Sequence, residues 1–165
     1  MKILKIKFIA KILTFGLVIA FFGCNDQGDY SSITEKYNSE ELLCISLLNI
    51  DGVNYFLGKP YTGSCLLYDE ELVTKKGLES YVNGKLEGIN IGYYPDGSVE
   101  YIGYKSNGEI NGNFVKFHQN GEIAIKGQFS DGLYIGRFKY FDDNGKLIEK
   151  SKYNNYGKLL KSKTY

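Results

Sequence analysis

The stretch that decides the fold runs from Asn107 to Gly145 and reads NGEINGNFVKFHQNGEIAIKGQFSDGLYIGRFKYFDDNG. It contains four Asn-Gly or Asp-Gly pairs, which end at Gly108, Gly121, Gly132 and Gly145. Such pairs tolerate the positive φ angles of tight turns between antiparallel strands. The pairs are 13, 11 and 13 residues apart, and each interval leaves room for one strand of about 5–8 residues and its turn. The stretch therefore predicts consecutive β-hairpins.

The same series continues towards the N-terminus, where Gly84 and Gly97 end two further Asx-Gly pairs. Three other glycines, Gly88, Gly112 and Gly136, are spaced by 24 residues, and Gly63 precedes them by 25. Aromatic residues follow this period in two columns, the first Tyr68, Tyr93, Phe117 and Phe141, the second Tyr81, Phe129 and Tyr153. No single repeat can bury its rings alone, so we expect adjacent repeats to stabilise one another.

This repeat predicts an all-β fold, an elongated, twisted antiparallel meander of hairpins with a period of 24 residues. Glycine inside a strand reduces stability unless a ring or a backbone must come close to it. We therefore predict that the aromatic columns pack over Gly88, Gly112 and Gly136 along one face. The seven rings of the two columns are the candidate binding face, because tyrosine-rich surfaces supply rigid amphipathic area for recognition.

The composition points away from an enzyme. The 165 residues include 20 Gly, 15 Tyr and 10 Phe but only one His, which excludes sites built on several histidines. That residue, His118, occupies a repeat position held elsewhere by Tyr94 and Asp142, so we interpret it as strand-end surface. The acidic pairs Glu40-Glu41, Glu70-Glu71 and Asp142-Asp143 are adjacent in sequence, and adjacent residues on a strand point to opposite faces. We expect no catalysis, no cofactor and no metal.

The first 24 residues have the composition of a targeting segment. Four lysines (Lys2, Lys5, Lys7 and Lys11) precede the largely apolar run 12–22, which is too short to span a hydrocarbon core of about 30 Å. Phe21-Phe22-Gly23-Cys24 resembles the lipobox of a bacterial lipoprotein signal. We predict a signal peptide over 1–23 and an acylated Cys24 that anchors the chain in the cell envelope, facing the periplasm or at the outer membrane, with surface exposure as an alternative. An ordinary secretory signal and a retained membrane anchor are alternatives to acylation.

Removal of that segment changes the charge. Four of the 20 basic residues and none of the 19 acidic ones precede Cys24, so the mature chain carries 16 − 19 = −3. Residues 146–165 hold six Lys and one Glu, a net +5, which leaves −8 on residues 24–145. An acidic domain body argues against nucleic-acid binding. The Lys-rich tail is suited to anionic lipid or to an acidic partner, or is only a solvated last hairpin.

The remaining segments complete the predicted organisation. Residues 24–39 are polar and predict a flexible tether, 40–62 an N-terminal β cap, and 161–165 a basic C-terminal tail. Cys44 and Cys65 lie in candidate strands near the cap. In an oxidising compartment they either pair as a disulfide or remain buried thiols, and the sequence favours the thiols.

The units 63–87, 88–111, 112–135 and 136–160 resemble degenerate bacterial MORN repeats (membrane occupation and recognition nexus). The resemblance rests on G-x-x-φ-x-(Tyr/Phe)-x-x-(Asp/Asn)-Gly followed by (Tyr/Phe)-x-(Asp/Asn)-Gly-x-φ-x-Gly, and both end units depart from it. It implies an elongated, twisted sheet of hairpins. Bacterial members are often catalogued as antitoxin components of toxin–antitoxin systems, yet a lipidated, exported chain could not reach a cytoplasmic toxin.

We therefore expect a non-catalytic, lipid-anchored envelope protein, a monomer whose repeat domain is a protein-interaction or scaffold module for an unidentified protein or envelope component. Two alternatives stay open. In the first, the repeats and the Lys-rich tail bind anionic lipid or an envelope glycan. In the second, the domain inhibits a partner protein as an antitoxin does.

Overall fold

A computed structural model describes residues 42–165, so the predicted signal peptide, Cys24 and the tether lie outside the described residues. The described chain consists of β-strands joined by turns, with one 3₁₀ turn at Cys44–Ser46. Its strands are β1 Leu42–Leu43, β2 Leu48–Ile50, β3 Val53–Phe56, β4 Lys59–Pro60, β5 Gly63–Tyr68, β6 Lys75–Val82, β7 Lys85–Leu86, β8 Gly88–Tyr93, β9 Val99–Ser106, β10 Glu109–Ile110, β11 Gly112–Phe117, β12 Ile123–Ser130, β13 Leu133–Phe141, β14 Leu147–Tyr153 and β15 Leu159–Thr164. Over this part of the chain, no helix has the length and apolarity needed to cross a membrane.

The long strands form one sheet in which almost every strand pairs with the next one in the sequence. The order is β1-β5-β6-β8-β9-β11-β12-β13-β14-β15, with β7 and β10 as short extensions paired with β6 and β9. All of these pairs are antiparallel except β1 with β5. A second, three-stranded sheet consists of β2, β3 and β4. The prediction of an all-β antiparallel meander of hairpins is confirmed.

Two kinds of turn alternate along the meander. At residues 94–98, 118–122 and 142–146 the first N–H donates to the last carbonyl of a five-residue turn, and of the Asx-Gly pair only the glycine has a positive φ. At 83–84, 107–108 and 131–132 both residues of the pair are left-handed, for example Asn107 at φ 50° and Gly108 at 88°. These are the two-residue turns whose twist matches that of the flanking strands. All six predicted turn glycines lie in turns, but the six pairs are not equivalent.

The glycines Gly88, Gly112 and Gly136 do not lie beneath aromatic rings, and that prediction is wrong. Their φ angles are 119°, 81° and 68°, and a Cβ added at Gly112 would have no neighbour within 4 Å. They lie where the ladder shifts, since Ile102 pairs with Val115 whereas Lys105 pairs with Ile110. Glycine is needed at these positions because the bulge requires a left-handed backbone.

The rings pack instead over a different set of strand glycines. A Cβ at Gly92 would overlap the ring of Tyr101, and one at Gly127 would overlap the ring of Phe138. We call the ring-bearing side of β9 to β14 the aromatic face; its rings are Tyr101, Phe114, Phe129, Tyr134, Phe138 and Tyr153. Neighbouring centroids are 4.6 to 5.9 Å apart, the usual range for aromatic pairs.

This contact predicts different outcomes for two glycines 24 residues apart. Gly127→Ala places a methyl group inside the Phe138 ring, whereas Gly103→Ala meets Phe114 at 3.2 Å. Neither glycine has a positive φ, so backbone strain does not separate the two variants. We expect Gly127→Ala to lower the free energy of unfolding by about 1–3 kcal/mol as overpacking does, and Gly103→Ala by clearly less. Urea unfolding followed by far-UV circular dichroism tests this; equal losses would contradict the packing.

The opposite side of the sheet carries an aliphatic row. Leu78 pairs with Ile91, Ile91 with Ile102, and Ile102 with Val115. These four side chains are directly opposite one another on successive strands, and all are buried. Because side chains alternate along a strand, this row lies on the face opposite the aromatic face. Burial on both faces therefore stabilises the sheet.

The N-terminal cap takes the place of a preceding repeat. In the sheet, Gly108 donates its N–H to the Leu86 carbonyl at 3.0 Å, and Gly132 makes the equivalent bond to Ile110 at 2.9 Å. Gly84 has no such preceding turn and donates instead to the Tyr61 carbonyl of the cap at 2.6 Å. Cys44 and Cys65 are joined in a disulfide, with their Cα atoms 5.0 Å apart. Of the two alternatives for these cysteines, the structure has the disulfide.

Candidate anion-binding site

The seven rings predicted as a binding face do not share a face. Tyr93 and Phe117 lie on the side of the aliphatic row, as does the backbone position of Phe141, whereas Tyr81, Phe129 and Tyr153 lie on the aromatic side. The seventh, Tyr68, is half-buried beside Leu66, which pairs with Leu78. Four of the rings are at most 9% exposed: Tyr81, Tyr93, Phe117 and Phe129. The prediction of one exposed aromatic face is wrong, because rings this large are buried against their neighbours.

The aliphatic row changes character at β12. Val115 pairs with Lys126, and the row then continues through Lys139, Lys150 and Lys163, each directly opposite the next. Lys126 and Lys150 stand 24 and 48 residues after the buried Ile102. The position that supplies an aliphatic core residue in the early repeats therefore supplies a lysine in the late ones.

A second cationic row runs beside the first, two residues away along each strand. Arg137 pairs with Lys152, and Lys152 pairs with Lys161. The two rows put a cation-x-cation pattern on each of β13, β14 and β15, and alternation places all of these side chains on one face. We call this surface the basic face; its members are Lys126, Arg137, Lys139, Lys150, Lys152, Lys161 and Lys163.

The basic face is accessible and slightly concave. Five of its seven side chains are exposed, and Lys126 and Lys139 are half-buried. A concavity of about 460 Å³ is lined by the six cations of β13 to β15 together with Tyr165. The Tyr165 ring lies 4.5 Å from the Lys163 ammonium and 5.2 Å from that of Lys150. Such cation–π contacts order lysine side chains without removing their charge.

The only carboxylate on β13 to β15 points away from the basic face. Glu149 accepts hydrogen bonds from the hydroxyls of Ser151 and Ser162 on the other side of the sheet. These bonds hold the pKa of the Glu149 carboxyl below its usual range. The ion pairs among the described residues, Lys105 with Glu79 at 3.6 Å and Lys116 with Glu100 at 2.9 Å, involve other strands. The Lys116–Glu100 hydrogen bond also raises the pKa of that lysine.

Cross-strand neighbours of like charge destabilise a sheet by about 0.2–1 kcal/mol per pair. The two rows contain five such pairs: 126 with 139, 139 with 150, 150 with 163, 137 with 152, and 152 with 161. A bound polyanion would relieve this repulsion. The arrangement is therefore a candidate site for an anionic ligand, with its affinity set by charge rather than by shape.

The other predicted polar candidates have structural contacts. An imidazole nitrogen of His118 lies 2.9 Å from the Phe141 carbonyl, and at the equivalent turn the Tyr94 hydroxyl donates to the Phe117 carbonyl at 2.8 Å. Asp142 accepts the N–H groups of Asn144 and Lys146 within its own turn. Within residues 42–165, no three His, Cys, Asp or Glu side chains are grouped so that they could hold a metal ion.

Comparison with known proteins adds no name to this site: no family model matches the chain, and no curated protein matches it. Sequence reasoning found the Lys-rich tail but missed Lys126, Arg137 and Lys139 as parts of the same surface. One signal was present in the sequence. The cation-x-cation pattern occurs at Arg137-Phe138-Lys139, Lys150-Ser151-Lys152 and Lys161-Ser162-Lys163, once in each predicted strand.

Proposed function

We propose that this chain is a non-catalytic, lipid-anchored envelope protein whose repeat domain binds an anionic membrane surface through its basic face. The observation that supports this function is the pair of cationic rows on β12 to β15, which face no carboxylate from their own strands. Each basic residue near an anionic bilayer contributes about 1 kcal/mol of attraction. Six of the seven cations are lysines, which are flexible, hydrated point charges suited to diffuse headgroup charge.

The anchor and the face would reinforce each other. Cys24, the predicted acylation site, lies outside the described residues, and an acyl group there would hold the domain close to lipid headgroups. Stable attachment to membranes commonly combines a lipid chain with a basic patch. A role for the aromatic columns in protein binding has less support, because most of those rings are buried.

A vesicle experiment tests this function. The full chain carrying Cys24→Ala, so that acylation cannot contribute, is sedimented with phosphatidylcholine vesicles that contain or lack phosphatidylglycerol. We expect binding to the anionic vesicles that weakens with salt. Reversing the middle strand with Lys150→Glu and Lys152→Glu should weaken binding by about thirtyfold or more, since at least two lysine contacts are lost.

Two turn lysines provide a matched control. Lys146 and Lys158 are exposed and lie outside the basic face, so Lys146→Glu with Lys158→Glu changes the net charge equally. We expect this control to retain most of the binding. Equal losses in the two double variants would mean that net charge, not the face, is responsible. Binding to heparin but not to anionic vesicles would assign the face to an anionic glycan.

A further inference from the structure

The sheet ends at a strand with an open edge. Among the described residues β15 pairs only with β14, and all six of its residues are exposed. An exposed edge presents a row of backbone N–H and C=O groups that another strand can pair with. Addition of an extended peptide to such an edge is a common mode of protein recognition.

The ladder shows which backbone groups point outward. Tyr165 donates its N–H to the Ile148 carbonyl at 2.9 Å, directly across the β14–β15 pair. Hydrogen-bonded and non-bonded pairs alternate in an antiparallel ladder. Lys163 and Lys161 therefore point their backbone groups inward, towards β14. Ser162 and Thr164 point theirs outward, to the open edge.

The side chains beside this edge have a definite charge. Lys161 and Lys163 stand on the basic face, and Ser162 stands on the other face, where it bonds to Glu149. A strand added here would be hydrogen-bonded opposite Ser162 and Thr164. Its residues opposite Lys161 and Lys163 would form the closer, non-bonded pairs, with Cα atoms about 4.5 Å apart. At that separation opposite charges attract and like charges repel.

This charge excludes a second copy of the chain as the partner. Pairing β15 with itself in an antiparallel ladder places Lys161 opposite Lys163, or one of these lysines opposite its own copy, whenever the two strands overlap fully. Edge lysines are a common protection against such self-association. The same lysines attract a strand that carries carboxylates at alternate positions.

We propose that β15 binds an extended acidic segment of a partner protein as an additional antiparallel strand. Acidic residues at positions i and i+2 of that segment lie opposite Lys163 and Lys161, and the residue between them bonds through its backbone to Ser162. This inference goes beyond membrane binding, because recognition involves the backbone of an edge strand as well as the charge of a face.

Peptides whose charge and backbone are varied separately test the proposal. The full chain, in a neutral detergent, is titrated into a fluorescently labelled, acetylated Thr-Glu-Val-Glu-Val-Thr peptide, and anisotropy is measured. We expect saturable binding. Methylation of the first valine nitrogen, which would donate to Ser162, should weaken binding by about tenfold, since one backbone hydrogen bond is lost and the strand is blocked sterically. A peptide with lysine in place of glutamate should not bind.

Variants of the protein give the matching comparison. Ser162→Pro removes the outward N–H, which proline allows on an edge strand, and should weaken binding like the methylated peptide. Ser162→Ala removes only the hydroxyl and should bind as the unmodified chain does. Equal binding of the methylated and unmethylated peptides would overturn strand addition and leave a purely ionic contact. A dimer in sedimentation that the peptide cannot dissociate would also overturn it, in favour of a second copy.

Discussion

Replacing Phe138 with alanine should lower the free energy of unfolding by about 3–5 kcal/mol, the range for a buried phenylalanine. Its side chain is fully buried, and its ring centroid lies 5.5 Å from those of Phe129 and Tyr153 and 4.6 Å from that of Tyr134. The ring also covers Gly127, which has no side chain to fill the space it would leave. Urea unfolding monitored by far-UV circular dichroism measures the loss.

Two further variants make this prediction specific. Tyr156 is 86% exposed in the last turn, so Tyr156→Ala should change stability by less than about 0.5 kcal/mol. Gly127→Ala is destabilising in the native chain, but in the Phe138→Ala background its methyl group enters the vacated space. We therefore expect the second substitution to be neutral or stabilising there, a strong departure from additivity. Additive losses would mean that the ring and the glycine are not in contact.

Loss of the Cys44–Cys65 disulfide should be the other large effect. The cysteines are 21 residues apart, and closing a loop of that size stabilises a fold by about 3 kcal/mol through the entropy of the unfolded chain. Cys65 is fully buried in β5, whereas Cys44 lies in the 3₁₀ turn outside the main sheet. We expect a dithiol reductant, or Cys44→Ala, to lower the melting temperature measured by circular dichroism.

The same change should be felt unevenly along the chain. In repeat folds each unit is stabilised mainly by its neighbours, so the cap residues 42–62 should lose hydrogen-exchange protection first. The reductant should have no further effect on Cys44→Ala, which is the control for non-specific action. Unchanged exchange of the cap after reduction would contradict the role of the disulfide in holding it.

The turns were the most predictable part of the fold. An Asx-Gly pair announces its turn locally, because the side chain and the missing Cβ act within the dipeptide itself. The two classes of turn were not predictable in the same way. Asn107 is left-handed and Asn120 is not, although both precede glycine, because the distance to the neighbouring strands selects a two-residue or a five-residue connection.

The basic face was only partly predictable for a related reason. Local composition marked the lysines after residue 146, but Lys126 and Arg137 belong to the same surface only through the pairing of β12 with β13 and β13 with β14. A bulge that adds one residue to a strand moves every later side chain to the other face. The sequence alone did not show where these shifts occur.

By itself, then, the sequence determined the β class, the 24-residue period and the sites of the turns, because these depend on interactions within a few residues. Only the tertiary structure decided that Gly127 rather than Gly112 lies beneath a ring, that the aromatic columns separate onto two faces, and that the lysines align into rows. These features depend on cross-strand register. Register results from bulges and packing between repeats, and a single strand does not encode it.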